Sequence, residues 1–100
     1  MAKHEIIYSH RAQIKLFEIL KFYADRNKSS VYSRKLHNKF KKEISLLFKQ
    51  PEIGIKTEIE LVRGLITDHF IIFYEIVSGN IVIHSIWDCN QNPEDLIIKK

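Results

Sequence analysis

At Pro51 the spacing of the apolar residues changes, and that change limits the possible folds more than any other feature of the chain. Before it, apolar side chains recur every three or four residues; after it, they recur every second residue. A repeat near 3.6 puts one stripe along a helix, and a repeat of two puts one face on a strand. Helices are therefore expected before Pro51 and a sheet after it. The proline itself ends a helix, since its ring removes a backbone donor and clashes with the preceding turn.

A short strand is expected at residues 3–8, with Ser9 capping a helix over residues 10–26. Ala12, Leu16, Ile19, Leu20 and Tyr23 share one face of that helix, while Ile14 and Phe22 fall on its charged side. Asn27, Lys28 and Ser29 form a break, and Ser30 is the expected cap of a second helix reaching Lys49. Leu36, Phe40, Ile44 and Leu47 form its apolar stripe, opposite Lys35, Lys39, Lys42 and Lys49. The short break folds the two helices into an antiparallel hairpin.

Beyond Pro51, residues 53–62 alternate as a half-buried strand does. A turn is expected at Arg63-Gly64, a strand over residues 66–77, a hairpin connection at Ser78-Gly79-Asn80, and a last strand over residues 81–88. A helical turn is expected at residues 94–98. The order β-α-α-β-β-β gives a two-layer α+β fold, the helical hairpin covering one face of a mainly antiparallel sheet. The other face is expected to be open and partly polar, carrying Lys56, Glu58, Glu60, Arg63, His69 and His84.

One hundred residues hold a single core, so residues 1–100 read as one domain. Residues 1–50 contain 12 Lys or Arg against 4 Asp or Glu, and residues 51–100 reverse the balance to 4 against 8. A basic half selects an acidic partner, whether nucleic acid, protein or anionic surface. The single cysteine, Cys89, excludes a disulfide framework and a cysteine-based zinc cluster. The N-terminus lacks the apolar run of a signal peptide, and residues 70–74 are too short an apolar stretch to span a membrane. A cytoplasmic setting is the expectation, with no membrane partner.

No phosphate-binding loop, dinucleotide fingerprint or nucleophile elbow is present, and three glycines could not build them. Cys89, His84 and Asp88 lie close in sequence but match no metal-ligand spacing, so neither metal nor cofactor is expected. His69 and His84 fall on adjacent expected strands. With Lys56, Glu58 and Arg63 they have the composition that metal-free RNA cleavage requires: a base for the 2′-hydroxyl, cations for the phosphate and an acid for the leaving oxygen.

Residues 68–76, Asp-His-Phe-Ile-Ile-Phe-Tyr-Glu-Ile, and residues 86–93, Ile-Trp-Asp-Cys-Asn-Gln-Asn-Pro, together with length and element order, resemble the RelE/ParE superfamily of bacterial toxins. The resemblance covers nearly the whole chain. It implies the toxin of a type II toxin–antitoxin module, neutralised by a cognate antitoxin protein. ParE-like members inhibit DNA gyrase, and RelE-like members cut mRNA on the ribosome. In a nuclease of this kind Arg63, His69, His84 and Glu58 would be the catalytic residues, with Glu60 an alternative to Glu58. Lys35, Lys39, Lys42, Lys56 and Trp87 would contact the antitoxin or target. Ile71 stands where RelE-like nucleases keep an arginine, and Asn90 where many relatives carry another. These departures leave the gyrase reading ahead of the ribosomal one, with an inactive interaction module of the same fold as the third possibility.

Overall fold

The computed structural model describes residues 4–90. Its elements are β1 (Ile6–Tyr8), α1 (His10–Asn27), α2 (Val31–Ser45) with a 3-10 turn at Leu46–Phe48, β2 (Ile55–Lys56), β3 (Val62–Thr67), β4 (Phe70–Val77) and β5 (Asn80–Asp88). The strands form one sheet in the order β1-β5-β4-β3-β2. Only the β1–β5 pair is parallel. The expected α+β class and element order therefore hold. The helical turn expected at residues 94–98 lies outside the described residues.

Ser9 begins α1 as expected. Its Oγ accepts from Ala12 N at 3.0 Å and donates to His84 O at 2.9 Å, tying the helix start to β5. At the second helix the cap differs from expectation: Ser30 makes no side-chain cap bond, and Ser29 Oγ accepts from Val31 N at 3.2 Å instead. The interhelical break closes on Lys28, which takes the left-handed conformation at φ 52° and donates back to Ala24 and Asp25 carbonyls.

Leu36, Phe40, Ile44 and Leu47 of the second helical segment are all buried, as are Ala12 and Ile19 of α1. They meet Leu65, Phe70, Ile72, Tyr74, Ile81, Ile83 and Ile86 on the near face of the sheet. Removing side chains of this size from water contributes about 1.5–3 kcal/mol each. Ile14, Phe17 and Phe22 stay exposed.

The meander differs from expectation in its bounds. The alternating segment at residues 53–62 forms only the two-residue β2. Thr57 Oγ1 donates to Val62 O at 2.8 Å and accepts from Ile59 N at 3.2 Å, and this local bonding competes with the ladder and turns the chain. Arg63 and Gly64 lie inside β3, paired with Tyr74 and Phe73. The reversal comes at Asp68-His69, where Asp68 adopts φ 54°, a conformation its short side chain tolerates. The β4–β5 turn falls on Ser78 and Gly79, at φ 51° and 83°, the paired positive values a two-residue hairpin needs.

A bulge in β5 decides the far face. Phe73 pairs with Ser85 and Tyr74 with Ile83, leaving His84 as the extra residue. Two residues then oppose one, and the alternation slips by one position. Ile86 turns inward with Ile81 and Ile83, while Ser85 and Trp87 share the far face with Phe73 and Ile71.

The expected set of residues on the far face is corrected by this register. Arg63 pairs with Lys56 on one side and with Tyr74 on the other, on the helix side of the sheet. Glu58 and Glu60 sit in the exposed turn before β3, and His69 sits in the β3–β4 turn. Of the six, only His84 lies on the far face. Its neighbours there include Ile7, Ile66, Ile71, Phe73, Val82 and Trp87, with Ile66 57% exposed.

Candidate functional site

Arg63 reaches from β3 over the loop that follows the second helix. Its Nη1 donates to Gly54 O at 2.8 Å and to Glu52 O at 3.2 Å. Tyr74, its cross-strand partner, donates from Oη to Pro51 O at 2.8 Å and accepts from Gly54 N at 3.0 Å. Burial pushes the Tyr74 phenol above its ordinary value, so it stays a donor. Gly54 must be a glycine here, because a Cβ would stand 2.6 Å from the Tyr74 ring and hydroxyl. The two side chains clasp the loop to the sheet and floor a cleft of about 470 Å³, with Glu52, Lys56, Thr57 and Glu60 on its walls. The cleft brings Lys56 and Arg63 together.

His69 stands at the other end of the β3–β4 hairpin. Its Nε2 and Tyr23 Oη share a hydrogen bond of 2.8 Å, and its ring lies 4.2 Å from that of Phe70. Burial raises the Tyr23 pKa, and the Asp88 carboxylate raises it further. His84 belongs to neither end. Its Nε2 donates to Glu75 Oε1 at 2.9 Å on the far face, with only 13% and 9% of the two side chains exposed.

Of the four residues expected to act together, then, no two are joined by a hydrogen bond or ion pair. Arg63 and His84 lie on opposite faces. His69 is roughly 15 Å along the hairpin from Arg63, at about 3.3 Å per residue. Glu58 projects from an exposed turn. Among the described residues no three His, Cys, Asp or Glu come together as a metal site. Glu75, Tyr74 and Tyr23 were not among the expected site residues. Glu75 carried a signal, an acid inside the most apolar strand of the sequence. Tyr23 read as part of the apolar face of α1, and Tyr74 as part of the segment that carries the family resemblance.

Lys35, Lys39 and Lys42 lie on the exposed face of α2, Lys39 bound to Asp68 at 2.7 Å, which raises its pKa. Trp87 is half-buried on the far face beside Ile71. On the flank of α2, burial and then the Lys41 charge hold the His37 pKa below the usual histidine value. The unfolded chain therefore takes up this proton first as pH falls. His37 contributes stability above about pH 6.5 that is lost as pH drops from there through its folded pKa. An NMR titration should place the His37 midpoint below that of a free histidine, and Lys41→Gln should move it upward.

Residues 6–93 match a family model described as the ParE toxin of type II toxin–antitoxin system, parDE. A chromosomal ParDE toxin–antitoxin system from P. aeruginosa has a chain similar in structure, with a TM-score of 0.71 and 17% identity over 85% of this chain and 95% of that one. YafQ from E. coli strain BL21(DE3) is similar at a TM-score of 0.52 and 13% identity, over 86% of this chain and 93% of that one. No curated protein sequence matches the chain. Among the described residues no helix is long and apolar enough to cross a membrane.

Proposed function

The chain belongs to the ParE toxin family of type II toxin–antitoxin systems, and from that premise we propose that it arrests growth by gripping DNA gyrase, with no bond-breaking step of its own. The observation that supports this reading is the separation of Arg63, His69 and His84. Metal-free RNA cleavage needs its base, acid and phosphate-binding cations within hydrogen-bond reach of one phosphate. Arg63 already spends a terminal nitrogen on Glu52 and Gly54 carbonyls. A binding mechanism asks for surface instead, and the far face supplies an apolar patch at Ile66, Ile71 and Trp87.

The cognate antitoxin has a fitting seat elsewhere. Ile6, Tyr8, Gln13, Leu16, Phe17 and Leu20 line a groove of about 450 Å³ between β1 and α1. Phe17 is 65% exposed there, and β1 ends the sheet. An extended, apolar antitoxin segment could add to that edge and bury Phe17. The ribosomal reading keeps one observation in its favour, the bond between His84 and Glu75, which pairs a base with an acid.

Purified protein should block supercoiling by gyrase and leave ribosome-bound mRNA intact. Cut mRNA with supercoiling undisturbed would replace gyrase with the ribosome as the target.

A further inference from the structure

We propose that the exposed face of α2 docks on the phosphate backbone of double-stranded DNA, recognising charge and not sequence. Between Arg34 and Ser45 the exposed positions of α2 are Arg34, Lys35, Asn38, Lys39, Lys41, Lys42 and Ser45. None is apolar and none is acidic. Lys39 is held by Asp68. Arg34, Lys35, Lys41 and Lys42 have no carboxylate partner among the described residues. Arg34 and Lys41 are seven residues apart, as are Lys35 and Lys42, so each pair rises about 10.5 Å along one side of the helix. The four free cations thus form two short parallel rows on a rigid rod.

This surface suits a duplex better than a protein or a single strand. Protein interfaces are built around apolar and aromatic anchors and are depleted in lysine. Single strands are held by bases stacked on exposed aromatic rings, and the exposed aromatic of α2, Tyr32, lies outside these rows. A duplex offers a regular line of phosphates that cations alone can neutralise. The rows also stand apart from the β1–α1 groove and from the far face, so a protein partner on either would leave them open. The proposal goes beyond the gyrase reading and holds whether or not gyrase is the target.

Fluorescence anisotropy with the full chain and a labelled duplex of about 30 base pairs tests it. Four phosphate contacts predict that affinity falls on the order of 100-fold between about 50 and 200 mM salt, equally for unrelated sequences. Lys35→Glu with Lys42→Glu should weaken binding more than about tenfold at low salt and flatten the salt slope by about 2. Both positions are exposed, and circular dichroism should report an unchanged fold. The His37 midpoint should rise when the duplex binds, as phosphates offset Lys41. Absent or salt-insensitive binding, or a folded double variant that binds as the parent does, would overturn the proposal. So would tighter binding to a single strand or to polyglutamate, the latter marking the face as a protein site.

Discussion

Replacing Phe40 with alanine should remove about 4 kcal/mol of stability and lower the melting temperature by roughly 20 °C. Phe40 is fully buried, and its ring meets the Phe70 ring edge-on, 5.2 Å between centroids at 83°. This contact joins the helical hairpin to β4. Alanine would leave a cavity that α2 cannot close, because Leu36, Ile44 and Leu47 hold the helix against the same sheet. A chain of this size has about 5–15 kcal/mol in all, so a large share would go. Phe40→Leu, which keeps more of the volume, should lose less than half as much. Thermal melts followed by circular dichroism decide it. A Phe40→Ala protein melting within a few degrees of the parent would mean that the helix layer and the sheet are not one cooperative unit.

The second large effect concerns the far face. Glu75→Leu or His84→Leu should each destabilise the fold by about 2–4 kcal/mol, while the double variant should lose less than the sum by about 2 kcal/mol. Each single change breaks a hydrogen bond made where little water reaches, a loss that solvent does not make good. Once one partner is gone, replacing the other breaks no further bond between them. Denaturant unfolding of the four proteins measures the coupling. Ribosome-bound mRNA cut by the parent and left intact by the folded double variant would assign chemistry to the pair. Additive losses would mean that the 2.9 Å bond contributes nothing to stability.

The helical hairpin was legible almost residue by residue. Its buried apolar positions are the stripe Leu36, Phe40, Ile44, Leu47 and the face built around Ala12 and Ile19. The Ser9 cap was legible for the same reason: both are set by neighbours within one or two turns. The strands were less so. Thr57 closed a local turn where alternation predicted a strand, and Asp68 took the reversal expected at Arg63-Gly64. The first outcome hangs on one side chain's local bonding and the second on a residue that tolerates positive φ, and periodicity registers neither. The bulge at His84 had a faint trace in the spacing of Ile81, Ile83 and Ile86, two residues and then three.

The candidate site was hardest to read, because composition says which groups are present and not which converge. Histidines on adjacent strands read as neighbours, yet one reached Tyr23 on α1 and the other Glu75 on β4. Arg63 read as a phosphate ligand and closed a loop instead.

From the sequence alone came the two layers, their order along the chain, the helical core stripe and the concentration of positive charge in the first half. These depend on repeats and sums that survive small errors of register. Which groups meet depends on register itself. A shift of one residue in a strand moves a side chain to the opposite face, and the bulge at His84 makes that shift partway along β5. Only the folded sheet decided that Arg63 and His84 would face opposite ways.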